Sequence, residues 1–278
     1  MRTITITAFR RPHLLAWLLK TLLANDLAGW RILIGIEPSP MADDNLALAA
    51  KHLQGCNWDA TINQERLGIK ENPFRLVERA FAEGSELNLY LEEDLLVSPD
   101  ATRLALWYQA NHRPEWLCLS LIAGGCASSG LLSNADYPDL LFTGHTFNSL
   151  GFAVRREEWQ RHMREAWINE PARVVQFDGA LTGGWDWSIF TLLMRSPQLQ
   201  TLQPVLARST HNGRLGGEHC RPEFHDAAFA GLPIYQGAAD ARAYRVEPLG
   251  LLPSVVRRHV LLWFEMTRAL QALAGQSG

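Results

Sequence analysis

Leu87-Asn88-Leu89-Tyr90-Leu91-Glu92-Glu93-Asp94-Leu95-Leu96-Val97-Ser98-Pro99-Asp100 is the stretch whose reading decides the fold. It opens as an apolar run of the kind that forms a buried strand. Three carboxylates follow, apolar residues resume, and Ser98-Pro99-Asp100 makes a turn into a helical segment. Three adjacent carboxylates repel one another and are costly to bury unpaired. At the end of a buried strand, a hard divalent cation such as Mg²⁺ or Mn²⁺ is the simplest compensation, because such ions take oxygen ligands and bind diphosphates. A solvated acidic turn is the alternative.

The neighbouring segments give this strand its setting. Upstream, Thr3 to Phe9 reads as a first strand and Arg10-Arg11-Pro12 closes it. Leu14, Leu15, Leu18, Leu19, Leu22 and Leu23 then fall at helical spacing. Arg31 to Glu37 reads as a second buried strand, Met41 to Leu53 as a helix, and Ala60 to Asn63 as a short strand. Leu67 to Pro73 reads as a loop. Phe74 to Glu83 reads as a helix with Pro73 near its first turn. This alternation predicts an α/β fold with a mostly parallel, Rossmann-like central sheet and helices on both faces. Ligands of such sheets bind at the carboxyl ends of the strands, where Arg10, Arg11, Glu37 and the acidic triplet stand.

Downstream, Ala101 to Asn111 reads as a helix, Trp116 to Ile122 as a strand and Ala123 to Thr146 as a loop or irregular hairpin. Phe147 to Val154 returns to strand character, Arg156 to Trp167 is helical, and Gly183-Gly184-Trp185-Asp186-Trp187 opens a helix over Ser188 to Arg195. Gln203 to Arg208 reads as a strand. Ser209 to His219 is a polar, glycine-rich loop. Residues 1–245 form the expected main domain, which the resemblance below makes catalytic, and residues 246–278 a helical tail. Packing on the domain is the default for that tail. Pairing with a second copy, as a homodimer, and contact with a membrane surface stay open.

Composition narrows the class. With 26 basic and 29 acidic residues among 278, no nucleic-acid footprint is expected. Cys56, Cys118, Cys126 and Cys220 are widely spaced and fit reduced thiols of a cytoplasmic protein; a place at the inner face of the membrane stays open. Met1 leads straight into strand-like sequence, so no signal peptide is expected. No apolar run approaches the ~20 residues of a transmembrane helix.

Four segments together resemble nucleotide-sugar glycosyltransferases of the A-type fold. The likeness is to the inverting enzymes related to N-acetylglucosaminyltransferase I and to bacterial family 2-type glycosyltransferases. The segments are Thr5 to Pro12, Tyr90 to Asp100, Asn148 to Trp159, and Trp185-Asp186-Trp187. The second is similar to the family's Glu-Asp-Asp metal motif, with Glu93 in place of the middle Asp. The fourth is similar to its Trp-Asp-Asp-Trp helix start, with one Asp fewer.

The resemblance implies a hexosyl- or N-acetylhexosaminyltransferase that takes a nucleotide-sugar donor, a carbohydrate or glycoconjugate acceptor, and Mn²⁺ or Mg²⁺. It makes Asp94 the metal ligand, with Glu92 and Glu93 serving the ribose or metal-bound waters. Asp186, between two tryptophans whose faces could stack on a sugar, becomes the general base, against the alternative of a helix N-cap between core tryptophans. Glu37 is expected at the base or ribose and Arg10 and Arg11 at phosphate. Lys70, Asn72 and Arg75 are expected to line the same pocket. His211 or His219 would complete the coordination. A sugar-phosphate nucleotidyltransferase is one alternative, disfavoured because no glycine-rich loop follows the first strand. A non-catalytic carbohydrate-binding protein on the same fold is the other.

Overall fold

The first strand, β1 (Arg2–Ala8), is hydrogen-bonded in parallel to β2 (Trp30–Ile36) on one side and to β4 (Leu87–Glu92) on the other. The structure is a computed structural model. It describes residues 1–122, 137–169, 173–175, 181–183, 185–214, 222–229, 234–237, 243–254, 256–258, 260–262, 265 and 269. Between β1 and β2 runs α1 (Pro12–Leu22), whose Leu14, Leu15, Leu18, Leu19 and Leu22 form one buried stripe. Next come α2 (Ala42–His52), β3 (Trp58–Ile62) and α3 (Gly68–Ala82), and then β4. After β4 follow β5 (Leu95–Val97), α4 (Ala101–Ala110), β6 (Trp116–Ser120), β7 (Leu140–Gly144) and β8 (Phe152–Arg155).

Helical turns α5 (Arg156–Glu158) and α6 (Arg164–Asn169) flank a π-helical stretch, Trp159–Met163. They lead to the hairpin of β9 (Arg173–Val175) and β10 (Leu181–Gly183) and to α7 (Trp185–Arg195). The chain continues through β11 (Gln200–Pro204), β12 (Ser209–His211), α8 (Pro222–Ala228) and β13 (Arg245–Val246).

Among the described residues nine strands form one sheet in the order β13-β7-β11-β6-β8-β4-β1-β2-β3. From β1 the chain winds outward through β2 and β3, then returns to the other side of β1 with β4. The crevice beyond the carboxyl ends of β1 and β4 is therefore the topological switch point, where open α/β sheets bind ligands. The mostly parallel sheet has antiparallel contacts where β8 lies between β4 and β6 and where β7 meets β11. Both faces are covered, so Thr3 and Thr5 are as buried as Ile4 and Ile6, and the sequence alternation of β1 is no guide to burial. No helix of the described residues is long and apolar enough to cross a membrane.

One face packs α1, α2 and α4 on leucines and isoleucines of the central strands. The other is largely aromatic and joins Tyr90 of β4 to Phe152, Trp159, Trp167 and Trp185. At the far edge, Leu252, Val256 and Val260 pack on Leu140, Phe142 and Val205.

Several sequence expectations shift. Leu67 to Pro73 is not a loop, because α3 starts at Gly68 and carries Pro73 inside it. The cause is tertiary: the Glu37 carboxylate accepts the Leu67 and Gly68 N–H groups at 2.9 and 3.1 Å and caps the helix from a distant strand end. Within the stretch read as a loop or irregular hairpin, Leu140–Gly144 is a strand, and the strand expected from Phe147 starts only at Phe152. Ser209–His211 is likewise a strand, pairing with β5.

Gly35 illustrates how tightly α3 sits on the sheet. A Cβ there would lie 2.7 Å from Asn72 Oδ1, while Asn72 Nδ2 donates to the Gly35 carbonyl at 3.2 Å. Gly35→Ala is expected to lower stability by about 1–3 kcal/mol, the usual cost of overpacking, measured by chemical denaturation. An unchanged midpoint would show that α3 can give way.

Candidate active site

The switch-point crevice is built from three segments. β1 delivers Phe9, Arg10 and Arg11, and β4 delivers Glu92, Glu93 and Asp94. β12 folds antiparallel onto β5, placing His211 opposite Leu95, and the Asn212 N–H donates to the Asp94 carbonyl at 2.6 Å. The turn after β4 is held to β1 by the Glu93 N–H, which donates to the Thr7 carbonyl at 3.0 Å.

The side chains then converge. Glu93 accepts the Phe9 N–H at 2.6 Å and Arg11 Nε at 2.7 Å. Asp94 Oδ2 accepts Arg11 Nη2 at 2.8 Å and meets His211 Nε2 at 3.1 Å. Burial by itself would raise the Asp94 pKa. The His211 hydrogen bond and the Arg11 charge outweigh it and hold the carboxyl below its ordinary value. Burial opposes the Arg11 charge as well, and the Asp94 and Glu93 carboxylates more than restore it.

Glu92 behaves differently. Burial, then the Asp94 charge, with Asp186 adding to it, pushes its pKa up to about 8, against the pull of the Tyr90 hydroxyl. That hydroxyl donates to Glu92 Oε1 at 3.1 Å.

Asp186 stands in the first turn of α7, partly exposed, and its charge is felt at Glu92. The aromatic core sets this proximity. Trp185 is buried, stacked on Trp167 with ring centroids 3.7 Å apart, and edge-on to Tyr90 at 5.8 Å. Trp185 is thus a core residue and offers no face to a sugar, whereas Trp187 keeps partial exposure. Trp185→Ala is expected to cost about 3–5 kcal/mol of stability, as for other buried aromatics. A loss of acceptor binding with full stability would restore Trp185 as a sugar platform.

The other described residues singled out in the sequence have partners outside the Arg11, Glu93, Asp94 and His211 cluster. Both Glu37 oxygens face the start of α3, and burial raises its pKa. Asn72 is buried, tying α3 to β2 and to Asn63. Lys70 is exposed and donates to the Ile168 carbonyl at 3.0 Å, and Arg75 is exposed and paired with Glu71 at 2.8 Å. Arg10 is exposed, its guanidinium 4.5 Å from the centre of the Phe9 ring. His219, Cys126 and Cys220 lie outside the described residues. His225, given no role from sequence, supports the site: its Nε2 meets the His211 carbonyl at 3.1 Å, and the two rings lie 5.4 Å apart. No local pattern in α8 signals this.

Among the described residues no three His, Cys, Asp or Glu side chains converge to hold a metal ion. A smaller set is present. Asp94 Oδ1 and His211 Nδ1 are buried without a hydrogen-bond partner among the described residues. A Cβ on Gly213 would come within 2.9 Å of Asp94 Oδ2 and His211 Cε1 and 3.0 Å of Arg11 Nη1, so only glycine leaves that space open. One carboxylate and one imidazole fit a hard cation whose remaining ligands are phosphate oxygens and water.

No family model matches the sequence, and no curated protein matches it. Solved structures do. Mannosyltransferase PcManGT from Pyrobaculum calidifontis, in complex with GDP-Man and Mn²⁺, matches at 13% identity and TM-score 0.43, over 58% of this chain and 46% of that one. A fragment of S. aureus TarS matches at 13% identity and TM-score 0.47, over 69% and 55%. The galactosyltransferase LgtC, in complex with donor and acceptor sugar analogs, matches at 14% identity and TM-score 0.42, over 97% and 96%. The chain thus spans about half the length of the PcManGT and TarS chains, with shares of 46% and 55%.

Proposed function

We propose that the chain is an inverting glycosyltransferase that moves a sugar from a nucleotide-sugar donor to an acceptor hydroxyl with the help of Mn²⁺ or Mg²⁺. The observation that carries this reading is the meeting of Arg11, Glu93, Asp94 and His211 at the switch point between β1 and β4. Asp94 and His211 would hold the cation, which when bound offsets charge on a departing diphosphate. Glu93 fixes Arg11 and the Phe9 backbone, so the guanidinium is oriented before a phosphate arrives. Asp186, in the first turn of α7 and close enough for its charge to reach Glu92, is the carboxylate we assign to take the proton of the acceptor hydroxyl. A base acting in a single displacement inverts the anomeric centre.

A nucleotidyltransferase is disfavoured by β1, which runs through Phe9, Arg10 and Arg11 straight into Pro12 at the start of α1, with no glycine-rich turn. The test is transfer and hydrolysis across a panel of sugar nucleotides, with Mn²⁺ and with chelator. Turnover of one or more donors only with the divalent ion is expected. Absence of donor binding across the panel, with or without metal, would overturn the proposal.

A further inference from the structure

The antiparallel ribbon of β5 and β12 brings His211 to Asp94, and it is closed at each end. At one end the Asn212 N–H donates to the Asp94 carbonyl, and at the other the Ser98 N–H donates to the Arg208 carbonyl at 2.9 Å. At that second end lies a buried ion pair. Arg208 Nε donates to both oxygens of Asp100 at 3.0 and 3.1 Å, and each residue is 1% exposed. The remaining guanidinium nitrogens donate to the carbonyls of Leu206 and Pro138, and the guanidinium lies 4.5 Å from the centre of the Tyr235 ring. Asp100 also accepts the Ser98 hydroxyl at 2.6 Å and the Tyr244 hydroxyl at 2.8 Å.

A buried ion pair of this kind contributes little net stability over an apolar pair of the same volume. Its hydrogen bonds are directional, however, and a planar fork bound on several sides admits one orientation. The ribbon has only three residues in each strand, so few ladder bonds set its register. A slip of one residue would turn His211 to the opposite face, away from Asp94.

We infer that Arg208 and Asp100 are positioning residues that lock the β5–β12 register and thereby place His211 on Asp94. They act through the ribbon and do not touch the crevice groups themselves. The pair reaches the site from the end of the same acidic stretch: Asp100 belongs to the turn after β5 and Asp94 to the turn before it.

The test compares wild type with Arg208→Met/Asp100→Leu, which removes both charges together, and with Arg208→Lys, which keeps the charge without the fork. Two quantities are read: hydrogen exchange of the Asn212 amide, with Ile34 in β2 as internal reference, and Mn²⁺ affinity by titration. The double variant is expected to keep Ile34 protected while Asn212 exchanges at least about tenfold faster, as a local opening does. Mn²⁺ affinity is expected to fall about tenfold, the scale for losing a group that orients a ligand. Wild-type protection of Asn212 in the double variant would overturn the inference. Should that variant fail to fold, Arg208→Lys decides by the same exchange ratio. The Mn²⁺ readout rests on the proposed donor site and the exchange readout does not. A wild type that binds no Mn²⁺ therefore counts against the donor site, while Asn212 still decides the register.

Discussion

Asp94→Ala is expected to lower kcat/KM for sugar transfer by about 10³-fold, the scale seen when a preorganised charge at a reacting centre is removed. Asp94 joins two cationic or donor side chains, Arg11 and His211, and presents a second oxygen that has no partner among the described residues. Alanine removes the carboxylate on which both converge. The fold should survive, because Arg11 keeps Glu93 as a partner and the Asp94 backbone still accepts the Asn212 N–H. The stability loss should stay near the cost of two broken hydrogen bonds to a charged group, about 1.5–3 kcal/mol each. Transfer assays and thermal unfolding on the same preparation separate the two effects. Activity within a few-fold of wild type would remove Asp94 from the site.

Asp186→Asn carries the second large effect. As the assigned base, Asp186 should contribute on the order of 10²–10⁴-fold, mainly in kcat. Asparagine keeps the shape and the helix-start position but cannot accept the proton. Donor affinity should therefore hold within a few-fold while kcat collapses. If donor affinity falls and kcat is unchanged, Asp186 is a binding residue and the base lies elsewhere. If wild type binds donor but turns over no acceptor, the non-catalytic alternative gains. Asparagine caps a helix about as well as aspartate, so Asp186→Asn should leave stability unchanged, whereas the N-cap reading requires Asp186→Ala to cost about 0.5–2 kcal/mol and leave chemistry intact.

How much of this was legible in the chain follows from the range of each interaction. β1, α1, β2, α2 and β4 were readable within a few residues because their signals are local: leucine spacing in α1, β-branched runs in β1 and β2, an apolar run before the acids in β4. Arg11, Glu93, Asp94 and His211 were each visible as strand-end or loop residues. Their pairings were not, since Arg11 and Glu93 stand 82 positions apart and His211 and Asp94 117 apart. What went unread shares that cause. Glu37 looked free at a strand end, but the first turn of α3 claims both its oxygens. Pro73 looked like a helix start, and a distant carboxylate moved the start back to Gly68. Trp185 looked available for stacking, and Trp167, 18 residues earlier in the chain, already covers it. The β5–β12 ribbon was hidden because three-residue strands carry too little periodicity to read.

The proposed donor site stands or falls on where a divalent cation binds. Crystals soaked with Mn²⁺ and a sugar nucleotide, with data collected at the manganese absorption edge, locate the ion directly. A single strong anomalous peak in coordinating contact with Asp94, beside His211 and a donor phosphate, is the expected result. Bound donor with manganese elsewhere, or with Arg11 still closed on Asp94 and no ion beside it, would contradict the site described.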